Sequence, residues 1–498
     1  MPLCRTFWLL ALVLFVPAPL RAENPAAKVV RQNWYERRCE QGKLGYLHLR
    51  AETMLVDGKE QIRTTVRDTM KYIRSGDPYS EATEQYSIED AQGKVLEVGY
   101  RTTLGKKQDL VVRGRPQGER ITLQVLDQEG KKVVYEQEVP WNPAALGLYA
   151  QDRILEGKPL AKGNQVHFHQ FTSLLNRVVP TTYTVKGPTS IKLAGQPREL
   201  IEVEQTFPKE LYLDKESLWV DPTTGRIVKY AQDSTLFGMV FHEMAEEDAA
   251  KGDFKAHVKD NDAPVSISKK IPFKSGGPKE LRVRVSMPPE TEMGTVFVQD
   301  RRQILEKDDK KTVELRLLRK PEKEGQDPKP GPEYLASNFY LRSDSPDVIK
   351  VAQKAGKEET DPRKLARRMM FWVRNNVKGD YEVAFATADE VARTLEGDCT
   401  EMGVLFAAMC RAKGIPSRIA FGLVYDPSNP GFGGHLWTEV YVEGRWEVMD
   451  ATGVLPMLGA AYLKIADFSL ANLLNPEELT PVRRAFAHKM KVDLVENQ

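Results

Sequence analysis

His435-Leu436-Trp437-Thr438-Glu439-Val440-Tyr441-Val442-Glu443-Gly444-Arg445-Trp446-Glu447-Val448-Met449-Asp450 decides the fold of the C-terminal third. Two runs rich in β-branched and aromatic residues flank Glu443-Gly444, so the stretch reads as a β-hairpin with a two-residue turn. Counting outward from that turn sets Val442 opposite Arg445, Trp437 opposite Asp450 and His435 opposite Thr452. His435 and Asp450 then lie diagonally on one face of the ribbon, close enough for their side chains to share a hydrogen bond.

Upstream, Gly397-Asp398-Cys399 falls where the chain leaves one helix and enters another, predicted from about Cys399 to Lys413 and stopped by Gly414 and Pro416. The sulfur of Cys399 therefore sits at a helix N-terminus, where unpaired backbone donors and the dipole favour a negative charge. A thiolate is the nucleophilic form of cysteine. Gly397 is expected to keep the approach to the sulfur open, since it has no side chain to crowd an incoming carbonyl. Cys410, three helical turns further on and so ~16 Å away along the axis, cannot share the site. Each residue alone has an ordinary explanation: a core cysteine, a satisfied strand histidine, a turn aspartate. Together they match a nucleophile, a base and an acid that holds the base in one tautomer, the triad logic with sulfur in place of oxygen.

Gly397-Asp398-Cys399-Thr400-Glu401, His435-Leu436-Trp437-Thr438-Glu439 and Asp450-Ala451-Thr452 resemble the three motifs of the transglutaminase-like superfamily. Arg411-Ala412-Lys413-Gly414-Ile415-Pro416-Ser417-Arg418 is similar to that family's helix-to-strand connection, and the resemblance covers residues 334–465. It implies a papain-like α+β fold with Cys399 as nucleophile, His435 as general base and then acid, and Asp450 as its orienter. The family's bacterial members include peptidases and amidases as well as cross-linking enzymes. The backbone donor of Cys399 is expected to help stabilise the oxyanion. Trp437 and Glu439 share the His435 face by strand parity and are candidates to line the cleft, with sheet packing the alternative for the tryptophan. Gly431-Phe432-Gly433-Gly434 is either a cleft-side loop or an ordinary turn.

A chain of 498 residues allows roughly three folded units. Residues 28–250 alternate polar and apolar positions between turn signals, as Leu47, Leu49 and Ala51 or Ile62, Val66, Met70 and Tyr72 illustrate, and predict a β-rich, antiparallel, half-barrel-like domain. Residues 262–320 repeat the pattern in Leu281, Val283 and Val285 and in Val313, Leu315 and Leu317, which suits a small β-sandwich-like domain, with Glu306 to Lys311 at a hairpin turn. Residues 321–333, rich in proline and charge, read as a linker. From 334 to 498 the period becomes helical first: Asp361-Pro362 starts a helix, Thr387 with Glu390 forms a capping box, and three strands ending near Thr452 follow.

The first 22 residues carry Arg5, an apolar run from Phe7 to Val16 and the small or helix-breaking residues Pro17 to Ala22, the layout of a secretory signal peptide. That run is short of the ~20 residues a membrane span needs, so an exported protein without a stable span is expected, periplasmic or extracellular, with an uncleaved anchor as the alternative. Of 72 basic and 70 acidic side chains, Arg5 and Arg21 fall in this leader, leaving the remainder balanced. Such a balance gives no global field for nucleic acid. Cys4 also falls there, and an odd cysteine count in an oxidising compartment leaves a thiol that needs a reason to be tolerated. His167 and His169 would share one side of a strand with no third ligand nearby, and His242-Glu243 lacks the second histidine of a zinc-protease helix. Neither metal nor cofactor is implied. The expectation is a thiol acyl-transfer enzyme acting on a protein or peptide substrate, with hydrolysis preferred over cross-linking. The competing class is a ligand-binding or scaffold protein whose triad is silent or auxiliary.

Overall fold

The computed structural model describes residues 27–495 apart from 75–76, 105–107, 128–129, 212, 214, 235–237, 255, 259–264, 267–276, 287–296, 310–311, 323–324, 381–385, 427–430, 453–458 and 472–489. The leader falls outside these residues. No helix among those described is long and apolar enough to cross a membrane.

Alternation of apolar and polar residues over residues 28–258 builds a sheet of sixteen strands among the described residues. Two antiparallel meanders join where Lys28–Cys39 pairs with Gly238–Ala245. The first strand shows the two-residue period directly: Asn33, Tyr35, Arg37 and Cys39 are buried, while the residues between them are more exposed. A late hairpin around Asp221 to Gly225 joins Glu216–Val220 to Ile227–Ser234. Separate apolar clusters fill this sheet, one around Val112, Ile121, Leu123 and Trp141 and another around Phe168, Tyr183, Val203 and Leu218.

The middle sheet runs Gln303–Asp308, Thr312–Leu318, Glu280–Ser286 and Lys491–Leu494. Its last strand comes from the far end of the chain, pairing Val285 with Val492, so residues 262–320 do not build it by themselves. A small sheet with one apolar face must cover that face. Val283, Val285, Val313 and Leu315 do so by packing against Leu423, Tyr425, Phe432, Leu463 and Ile465 of the next sheet, in one continuous core. The proline- and charge-rich segment is also tied down. Asp327 donates its N–H to Gly444 O at 2.8 Å, and its carboxylate accepts from Trp446 N at 2.8 Å.

Helices Pro346–Gly356, Pro362–Asn376, Ala388–Thr394 and Cys399–Ala412 precede the strands Ser417–Asp426, Gly431–Val442, Arg445–Met449 and Tyr462–Phe468. Asp361 caps its helix by accepting from Lys364 N at 2.8 Å. The capping box expected at Thr387 and Glu390 does not form; the Thr387 hydroxyl donates instead to Asp389 Oδ1 at 2.6 Å. Gly431 to Gly434 belongs to a strand, with Phe432 paired to Val265 and Tyr425, and so is neither loop nor turn. A strand beyond Thr452, Tyr462–Phe468, pairs with Ser417–Asp426 and adds residues that local periodicity had not marked.

Candidate active site

Asp398 opens the helix Cys399–Ala412 with a capping box: its carboxylate accepts from Thr400 N at 2.7 Å, and the Glu401 carboxylate accepts from Asp398 N at 3.0 Å. Glu401 is completely buried and also accepts from Ala386 N. Burial, reinforced by the neighbouring Asp398 charge, pushes its carboxyl well above the usual carboxylate range. Gly397 has φ +149°, and a Cβ there would lie 2.2 Å from Glu401 Cβ. The glycine is therefore required by the cap beneath the sulfur as well as by its open approach. Cys399 itself is half-buried in the first helical turn.

The hairpin register is the one obtained by counting. Val442 pairs with Arg445 and Thr438 with Met449, around Glu443 and Gly444 at φ +50° and +78°. Two successive positive φ values make a turn whose twist matches that of the strands. Beyond that pair, three residues back along one strand and one forward along the other, the ribbon brings His435 Nε2 within 2.8 Å of Asp450 Oδ2. Cys399, on the first turn of its helix, is near enough to act on the ring as well. Both His435 and Asp450 side chains are 8% exposed. Burial disfavours the charged imidazole, but the hydrogen bonds and charges of Asp450 and Cys399 outweigh it and lift the His435 pKa to about 10. Burial likewise opposes the Asp450 charge, and hydrogen bonds from His435 and Thr452 more than offset it, holding the carboxyl below its ordinary value. Of the three residues singled out in the sequence, His435 and Asp450 are thus hydrogen-bonded to each other, and Cys399 is near enough to the ring to help raise its pKa.

Residues 349–451 match the model of the transglutaminase-like superfamily. This segment is a transglutaminase-like domain. Over 96 residues the chain is 31% identical to an uncharacterized protein of Haemophilus influenzae, covering 18% of this chain and 26% of that protein. Over 99 residues it is 30% identical to kyphoscoliosis peptidase of Mus musculus, covering 17% of this chain and 15% of that peptidase. The chain therefore spans well under two thirds of these relatives. Among solved structures, a proposed cysteine protease from Cytophaga hutchinsonii is 19% identical with a TM-score of 0.26, over 43% of this chain and 83% of that one.

Around the transglutaminase-like core, Asp450 accepts four hydrogen bonds. Thr452 supplies N–H and O–H to Oδ1 at 2.9 and 2.8 Å, and Tyr462 donates its hydroxyl to Oδ2 at 2.9 Å beside His435. Tyr462 was not legible as a site residue, because it arrives on the strand beyond Thr452. Burial, then the Asp450 charge, keeps its phenol protonated far above its usual range. Trp437 packs in the sheet, with its ring 6.1 Å from His435 and 5.1 Å edge-on from Tyr462. Glu439 does not line the cleft. It is buried in an ion cluster, accepting from Arg418 and from Lys464 at 3.1 Å, and Asp467 joins both cations. Cys410 is fully buried, which drives its thiol pKa far up, and Cys39 is buried beneath the N-terminal sheet. His167 hydrogen-bonds Thr182 Oγ1 at 3.0 Å, and the ring of buried His242 stacks on Tyr230 at 4.0 Å.

Proposed function

We propose that the protein is an exported thiol acyl-transfer enzyme that hydrolyses amide or peptide bonds. The observation that carries this reading is the hydrogen-bonded pair of His435 and Asp450 beside Cys399, with the sulfur on the first turn of a buried helix. His435 takes the proton from the sulfur, which attacks the carbonyl carbon. The carbonyl oxygen takes up the electron pair and is stabilised by the backbone N–H of Cys399, the first-turn donor that the Asp398 cap does not use. As the tetrahedral intermediate collapses, the C–N bond breaks and His435 gives its proton to the departing amine. Water then attacks the thioester while His435 accepts a proton, and the acid and free thiolate result. Asp450 holds the ring in register throughout.

Water is the abundant acceptor, which favours hydrolysis over cross-linking by a second amine. The peptidase name of the mouse relative is in keeping with this. The basic start, apolar run and small-residue end of residues 1–22 support export. We read the N-terminal sheet as half-barrel-like and the middle sheet as one layer of a sandwich. The competing reading, a binding or scaffold protein, draws on the size of that N-terminal sheet. The test is turnover of a peptide and amide panel by the wild-type protein and by Cys399→Ala, following amine release by mass spectrometry. Loss of turnover in the variant is expected. Retained turnover overturns the mechanism.

A further inference from the structure

Helix Pro362–Asn376 buries Leu365, Ala366, Met369 and Val373 in the transglutaminase-like core. Its opposite face carries Lys364, Arg367, Arg368, Phe371 and Asn375, all exposed, flanked by Arg374 and continued by exposed Lys378. At 100° per residue the helical positions make one stripe, ~17 Å long from Lys364 to Asn375, and Lys378 lies just beyond the helix end. Among the described residues no ion pair involves Lys364, Arg367, Arg374 or Lys378, and Arg368 reaches Glu359 only at 3.9 Å. Arg363, which faces the hairpin, shows the contrast by pairing with Glu443 and Glu447.

The arrangement is not what solubility requires. Lys364 with Arg367 and with Arg368 are like charges one helical turn apart, which weaken a helix, and a merely solvated face mixes both signs. The stripe belongs to a chain whose charges otherwise balance. It also holds Phe371, an aromatic ring 48% exposed between arginines, the composition that anchors partners at interfaces. The stripe ends at the active site. Lys378 bridges Glu396, and its carbonyl accepts from Gly397 N at 3.1 Å, two residues before Cys399.

We propose that this stripe is the docking surface for an acidic polypeptide, the acyl donor of the reaction proposed above, laid along the helix with an apolar side chain on Phe371 and its scissile bond delivered toward Cys399. An extended chain covers ~17 Å with about five residues, so recognition would be by net charge and one apolar anchor over about that length. The inference rests on the proposed function for the bond broken, but not for binding.

The test uses the mature full-length chain carrying Cys399→Ala, so that binding is read without turnover. Probes are a fluorescein-labelled twelve-residue Glu/Asp-rich peptide with one leucine, a lysine-rich counterpart, and phosphatidylglycerol vesicles. The acidic peptide is expected to bind at least about tenfold tighter than the basic one, to weaken as salt screens the charges, and to lose about tenfold on Lys364→Glu with Arg367→Glu and Arg374→Glu. Phe371→Ser should weaken binding and leave its salt dependence intact. Circular dichroism of each variant confirms folding, and Lys364→Gln with Arg367→Gln provides a milder change that leaves the helix unstrained. Equal binding of both peptides, or no effect of either set of substitutions, overturns the proposal. Binding of vesicles in place of the acidic peptide overturns it too, and assigns the stripe to a lipid surface. In the active protein the same substitutions should raise KM for acidic peptides and leave kcat. Binding without any turnover would defeat the proposed reaction while leaving the docking surface standing.

Discussion

Replacing Asp450 with asparagine keeps the shape of the side chain and removes its charge. In the native site that charge, with the 2.8 Å hydrogen bond to Nε2, is the main influence lifting the His435 pKa to about 10 against burial. A hydrogen bond between charged groups contributes about 1.5–3 kcal/mol. At about 1.4 kcal/mol per pKa unit, the imidazolium of Asp450→Asn should lose its proton one to two units lower. An active pair of thiolate and imidazolium loses its acid above that pKa, so the alkaline fall in kcat/KM should move down by the same interval. Above about pH 10 the rate should therefore fall roughly ten- to hundredfold below wild type, and near neutral pH, where both rings keep their proton, by much less. The assay is hydrolysis of a fluorogenic peptide amide from pH 6 to 11, with iodoacetamide alkylation of Cys399 over the same range as a readout independent of substrate. An alkaline limb that stays where it is in the wild type would falsify the claim that Asp450 sets the charge state of the ring.

Folded His435 keeps its proton to a pKa of about 10, against 6.5 for an ordinary histidine, so its stabilising contribution is complete below about 6.5 and is lost as pH rises toward 10. Thermal unfolding of the wild type should therefore show a decline across that window that His435→Ala lacks. Tyr462→Phe removes one of the four hydrogen bonds to Asp450 and should lower kcat about tenfold with KM unchanged, as steady-state kinetics would reveal. Gly397→Ala forces a Cβ against Glu401 at positive φ and should cost about 1–3 kcal/mol in urea unfolding; an unchanged midpoint would mean the cap relaxes freely. Lys464→Met leaves buried Glu439 with Arg418 as its remaining cation and should cost roughly 3 kcal/mol, measured the same way.

The motifs that carried the site could be read because each is local. Asp398-Cys399 at a predicted helix start needs only the nearest turn to place the sulfur, and Glu443-Gly444 needs only a two-residue turn to place His435 beside Asp450. Where two local patterns were equivalent, sequence could not choose. Thr387 to Glu390 and Asp398 to Glu401 both have the capping-box spacing. The first fails because the Thr387 hydroxyl is drawn to Asp389, which Arg393 and Arg342 also hold. Glu439 shows the limit of strand parity, which gives the face but not what covers it.

The sequence by itself determined that helices precede strands after residue 334, the hairpin register, and the placing of His435 beside Asp450, because turn length and strand period fix these by counting. Only the tertiary structure decided that Tyr462 would complete the hydrogen bonds of Asp450, that Lys464 would neutralise Glu439, and that Lys491–Leu494 would pair with Glu280–Ser286. Those contacts join segments far apart in the chain, and their partners are selected by which apolar faces and buried charges remain to be covered once the local elements have formed.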